Sequence, residues 1–246
     1  MGDIPMMGLP SAVVYVNLFG NLADYDRLKN YCDKHRIPLI EDAAQSLGSF
    51  YKKIPSGKLG DISSLSFAPS KPLPCFGNGG MVLTDNESER DFVRGLRYHG
   101  SGTAKLHHGY NSCLSNDHAN VLNFLMSKYK KLLSKTKKVR KLYDEKLFKL
   151  GIGSIQTQSD TTSNNHKFVI KAQDRDNLKA YLETKNIQSQ VHYALPLSKM
   201  KMFHTDEQMP NAERFCEDVL SLPIHPFLED YEVIHVCNCI GEFYGV

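Results

Sequence analysis

Glu41-Asp42-Ala43-Ala44-Gln45 follows directly on Pro38-Leu39-Ile40, and this join of a short apolar run to an acidic pentapeptide decides the fold. Pro38-Leu39-Ile40 reads as a strand. Upstream, Ala12-Val13-Val14-Tyr15-Val16 is a continuous β-branched and aromatic run, the pattern of a strand covered on both faces in a parallel sheet. Between them Asp24 can cap a helix that carries Leu28, Tyr31, Cys32 and His35 at three- and four-residue steps. The three pieces form a βαβ unit. In open parallel sheets ligands bind beyond the carboxyl ends of the strands, so Asp42 stands where a functional carboxylate would stand. That Asp42 merely caps the next segment fits the pentapeptide equally well.

Working outward, Ser64–Phe67 and Met81–Leu83 predict two more strands, and Glu87–Tyr98 a helix with Phe92, Val93 and Leu96 on one face. From about Asn116 to Leu150 the apolar residues keep helical spacing, giving one long helix or two abutting ones, with Lys and Arg on most of the other face. His166–Ile170 and Ile187–His192 read as strands around a helix over Asp176–Lys185. The expectation is an α/β protein with residues 1–130 as a large domain and 131–246 as a linking helix and small C-terminal domain.

A length of 246 residues with 41% hydrophobic content excludes disordered, collagen-like and coiled-coil classes. The surplus of 30 basic over 27 acidic residues is too small to imply an anionic partner, so nucleic acid is not expected. Lys128, Lys130, Lys131, Lys135, Lys137, Lys138, Arg140 and Lys141 read better as the solvated face of the long helix than as an anion-binding strip. Six cysteines without a CxxC pair fit free thiols in the cytoplasm. His107-His108 could form a metal pair, but no second ligand cluster accompanies it and no metal is expected. The first ten residues lack a signal-peptide pattern, and no apolar run is long enough for a membrane span.

The second dense stretch is Ser66-Phe67-Ala68-Pro69-Ser70-Lys71-Pro72, with Gly77-Asn78-Gly79-Gly80 close behind. Lys71 sits in a loop after a strand, and the glycines let backbone pass close to a ligand. In isolation Lys71 reads as a solvated surface lysine. Taken with Glu41–Gln45, however, these motifs resemble the DegT/DnrJ/EryC1/StrS family of sugar aminotransferases, which depend on pyridoxal 5'-phosphate (PLP) and have the aspartate aminotransferase-like fold type I. The resemblance extends over Val-Asn-Leu-Phe-Gly-Asn at 16–21, Gly60-Asp61, His99-Gly100, Gly-Tyr-Asn at 109–111, and His192-Tyr193 with Pro196-Leu197.

The resemblance implies a large domain with a mostly parallel sheet, incomplete at its N-terminal side, and a smaller α/β domain. It implies amino transfer, with glutamate as the donor, to a nucleotide-linked keto-sugar in amino-sugar or surface-polysaccharide synthesis. Lys71 matches the lysine that binds the cofactor's aldehyde and then moves the proton between Cα and C4′. Dehydratase members carry histidine there, so Lys71 favours amino transfer. Asp42 matches the carboxylate that pairs with the pyridine nitrogen, Gln45 the residue beside O3′, and Ser66 a hydroxyl on the phosphate. Asn111 matches an asparagine that reaches the phosphate of the other subunit, which implies a homodimer. His192 and Tyr193 match the stretch near the nucleotide-sugar, where a histidine packed under a loop is the structural alternative. Cys113 departs from the basic residue often found two positions after the asparagine. Complete members also have a long N-terminal segment with part of the phosphate cradle, so the rival expectation is a truncated, inactive fragment acting at most as a binding module.

Overall fold

The computed structural model describes residues 10–101, 108–203 and 205–246. Met1–Leu9 and His107 lie outside the described residues. Contacts divide the chain into two units. The first runs through Lys130 and regains Thr157–Asn164; the second comprises Lys131–Gln156 and Asn165–Val246. A division at residue 130 drawn along the sequence does not foresee that return of Thr157–Asn164.

The first unit contains β1 (Val13–Val16), α1 (Tyr25–His35), β2 (Leu39–Asp42), β3 (Phe50–Tyr51), β4 (Ile54–Pro55), β5 (Ile62–Ser66), β6 (Gly80–Thr84), α2 (Glu87–Arg97) and the start of α3 (Asn116–Lys149). β7 (Thr161–Thr162) completes it. The main sheet has the order β1-β2-β5-β6; the first three strands are parallel and β6 is antiparallel to β5. Asp24 does cap α1, accepting from the Arg27 N–H at 3.3 Å. Cys32 on α1 packs with Tyr15, Leu22, Leu39, Tyr51 and Leu59.

β1 is not covered on both faces: Tyr15 is buried, but Val14 is 63% and Val16 47% exposed. Alternation sends Tyr15 to the α1 side and the two valines to the other, which no described residue buries. On α2, Gly95 is the buried residue and Phe92 is exposed.

The second unit holds the end of α3, then β8 (Phe168–Lys171), α4 (Arg175–Thr184), α5 (Pro210–Asp218), β9 (Val219–Leu222) and α6 (Asp230–Tyr244). β8 and β9 pair antiparallel and α6 begins with a capping box of Glu229 and Glu232. The expected strand at Ile187–His192 does not form. That segment lies along the edge of β9 opposite β8 and meets it at the single bridge Gln190–Ser221. α3 is one continuous helix.

Candidate active site

Parallel pairing puts the carboxyl ends of β1, β2 and β5 at one edge of the sheet. Val16 stands beside Asp42, and Asp42 beside Ser64. Successive side chains on a strand point to opposite faces, so Glu41 and Asp42 have different surroundings. Glu41 is 0% exposed. Its Oε1 accepts from Asn17 Nδ2 at 2.8 Å and Ser56 Oγ at 2.7 Å. Its Oε2 accepts from the N–H groups of Gly57 (2.9 Å) and Leu59 (3.0 Å) and from Ser63 Oγ (3.0 Å). One side chain thereby joins the end of β1, the turn before β5, and β5 itself. Asp42 is half-buried; its Oδ1 accepts from the Ala44 N–H at 3.0 Å, and its other oxygen has no hydrogen-bond partner among the described residues. The capping role is therefore real and leaves half the carboxylate available.

Gln45 lies in the turn after β2, and its Oε1 accepts from the Phe19 N–H at 2.8 Å. Phe19 has φ 62° and Gly20 φ 91°, so the turn at the end of β1 doubles back toward β2. Ser66 ends β5, and its Oγ lies 3.4 Å from the Ala68 N–H. The loop beyond is closed at its base: the Phe67 N–H donates to Gly79 O and the Cys75 N–H to Phe67 O, both at 2.8 Å. Gly79 is required there, because a Cβ would lie 2.8 Å from Cys75 Sγ. Within this closed loop Lys71 is half-buried, anchored by its own N–H to Ala68 O at 2.9 Å. Its ammonium makes no hydrogen bond or ion pair with any described residue.

A half-buried amine without a partner, a carboxylate with one free oxygen and a strand-end hydroxyl are the donor set an aldehyde-bearing, pyridine-containing phosphate cofactor needs. Asp42, Gln45, Ser66 and Lys71 thus share one edge of the first unit. Asn111 is exposed and bridges to Tyr98, lining a cleft of about 1050 Å³ with Ser64, Leu65, Asn78, Arg97 and Cys113. Cys113 is exposed and directs its Sγ to Arg97 O at 3.7 Å.

In the second unit, His192 Nδ1 is 2.9 Å from Ser221 Oγ. Burial, and then the charge of Lys167, hold its imidazole below the ordinary pKa. His192 and Ser221 line a cavity of about 900 Å³ with Lys179 and His225. Tyr193 is exposed. Neither Ser221 nor Glu41 was legible as a site residue, since each acts through contacts tens of residues away in sequence. Among the described residues no cluster of three His, Cys, Asp or Glu side chains could hold a metal. No described helix is long and apolar enough to cross a membrane.

Comparison with known proteins is in keeping with this geometry. The model of the DegT/DnrJ/EryC1/StrS aminotransferase family matches residues 8–241. A UDP-2-acetamido-2-deoxy-3-oxo-D-glucuronate aminotransferase of Pseudomonas aeruginosa is 31% identical over 233 residues, covering 93% of this chain and 65% of that protein. The crystal structure of a family aminotransferase from Brucella abortus superposes with a TM-score of 0.91 at 29% identity, over 96% of this chain and 65% of that one. DesV of S. venezuelae, solved in complex with a ketimine intermediate, gives 0.89 at 32% identity, over 94% and 64%. The chain therefore spans about 65% of the length of the relatives it matches.

Proposed function

The chain belongs to the DegT/DnrJ/EryC1/StrS aminotransferase family, and we propose that it works as a PLP-dependent aminotransferase on a nucleotide-linked keto-sugar, in the cytoplasm, with glutamate as amino donor. The observation that carries this reading is the unpartnered, half-buried amine of Lys71 in the loop leaving β5, at the sheet edge that also holds Asp42 and Ser66. Residues 1–130 would hold the cofactor and 131–246 would form the linking helix and small domain.

Bound at this edge, PLP would supply an aldehyde to take up the amino group and a ring to draw electrons from the carbon that loses its proton. Lys71 would hold the aldehyde and, once released, carry a proton on its Nζ as general base and then acid. Asp42, through the oxygen not used by Ala44, would accept a hydrogen bond from the ring nitrogen and favour its protonated form. Ser66 Oγ would donate to the phosphate and Gln45 would border the ring. Asn111, matched by the family resemblance to an asparagine that reaches the other subunit's phosphate, would serve the partner's cofactor in a homodimer. His192, held by Ser221, and Tyr193 would meet the nucleotide-sugar, for which the aminotransferase relative's own substrate name is the support.

The test is capture of the cofactor. Purified protein mixed with PLP and treated with borohydride is expected to carry one covalent adduct, located on Lys71 by mass spectrometry, and Lys71→Ala is expected to carry none. If wild type and Lys71→Ala behave alike, the enzymatic reading fails for this chain and a family fragment that serves at most as a binding module is left.

A further inference from the structure

Thr157–Asn164 is the stretch that returns to the first unit, pairing Thr161 and Thr162 with Tyr51 and Phe50 and ending at the buried Asn164. Asn164 meets the turn that follows Asp42. Its Nδ2 donates to the carbonyls of Gln45 and Leu47, both at 2.9 Å. Its backbone N–H donates to Ser49 Oγ at 2.9 Å, and that hydroxyl donates on to Gly20 O at 2.7 Å. Tyr129 adds a second donor to Leu47 O at 2.6 Å. Turn carbonyls inside a protein need donors from outside their own segment, and here one side-chain amide with two hydrogens serves two of them. A carboxylate in its place would set oxygen against two carbonyl oxygens, and a hydroxyl would satisfy only one.

We propose that Asn164 is a positioning residue for the candidate active site: it fixes the turn over Ala44–Gly48 and thereby the setting of Gln45 and of Asp42, whose Oδ1 is held by the Ala44 N–H. The link to cofactor binding rests on the roles proposed above for Asp42 and Gln45; the hold on the turn does not. Because the same turn receives the Phe19 N–H through Gln45 Oε1 and reaches Gly20 through Ser49, Asn164 sets the end of β1 as well.

The experiment compares wild type, Asn164→Asp and Tyr129→Phe by amide hydrogen exchange of the full chain without cofactor, and by PLP titration. In Asn164→Asp, peptides over residues 43–49 and 17–21 are expected to exchange about tenfold faster while α1 is unchanged. Apparent PLP affinity is expected to fall about tenfold, with the borohydride adduct still on Lys71 at saturation. Tyr129→Phe, which removes the second donor to Leu47 O and the hydroxyl that hydrogen-bonds the Asn164 side chain but leaves the Asn164 amide in place, is expected to give a smaller change confined to residues 43–49. Unchanged exchange in those peptides, or equal acceleration in α1, overturns the proposal. Faster local exchange with unchanged PLP affinity overturns the positioning role and leaves a structural contact. If wild type takes up no PLP, the enzymatic reading falls while the exchange comparison still decides whether Asn164 holds the turn. Should Asn164→Asp fail to fold, Tyr129→Phe carries the same exchange test, and no local acceleration in it counts against the clasp.

Discussion

In the second unit, β8 and β9 place Phe168, Val169, Ile170, Val219, Leu220 and Leu222 in an enclosed core, where Tyr143 stacks on Phe168 with ring centroids 4.6 Å apart. In the first unit the outer strands leave Val14, Val16, Met81 and Val82 partly open, and the strand ends are tied by the polar network around Glu41. The second unit is held by apolar contact, the candidate-site edge of the first by directed bonds. Apolar packing is tolerant of direction, whereas hydrogen bonds to a buried carboxyl group define positions, and the unit that presents Asp42, Ser66 and Lys71 has the directed kind.

The sharpest way to break this comparison is Phe168→Ala. It removes the stack on Tyr143 and the ring under Arg140, whose Cζ lies 4.8 Å from the centroid. A loss of about 3–5 kcal/mol is expected by urea unfolding. Glu41→Gln should cost about 2–3 kcal/mol although it is nearly isosteric, because a carboxamide has only one acceptor oxygen for the five donors that now converge on two. A loss below about 0.5 kcal/mol would mean that the network does not carry the first unit.

A smaller effect of opposite sign is expected from Tyr143→Phe. The Tyr143 hydroxyl is buried without a hydrogen-bond partner among the described residues, so deleting it should raise stability by up to about 1 kcal/mol, read from the shift of the same unfolding midpoint. Destabilisation instead would show that the apolar core is less tolerant than the comparison holds.

The smallest effect is a pH slope. His192 has a folded-state pKa below its ordinary 6.5, through burial and then Lys167. The unfolded chain therefore binds the proton at higher pH than the folded one. The contribution of His192 is complete above about pH 6.5 and is lost as pH falls through the lower folded value. Melting temperatures measured from pH 7.5 down to 5 should fall less steeply for His192→Gln than for wild type. Identical slopes would place His192 outside the pH response.

Much of the scaffold was legible because local pattern and burial agree. β1, β2, β5, β6 and α1 to α4 lie within two or three residues of where apolar runs, periodicity and capping put them. Ile187–His192 misled because its alternation of Ile187, Ser189 and Val191 imitates a strand, whereas the segment touches the edge of β9 opposite β8 at the single bridge Gln190–Ser221. α5, β9 and α6 were not read, though Val233, Val236, Cys237 and Ile240 carry a helical period that would have found α6.

By itself the sequence determined the α/β class, the family and the residue types at Asp42, Gln45, Ser66 and Lys71, since strand ends and short motifs are local properties. Tertiary structure alone decided that Glu41 is a tie and its neighbour Asp42 a half-open group, that Asn111 bridges to Tyr98 beside a cleft it lines with Ser64 and Leu65, and that Asn164 closes on Gln45 from 119 residues away. Those outcomes depend on which donors the folded chain brings within about 3 Å, and no local pattern encodes a distance between residues so far apart along it.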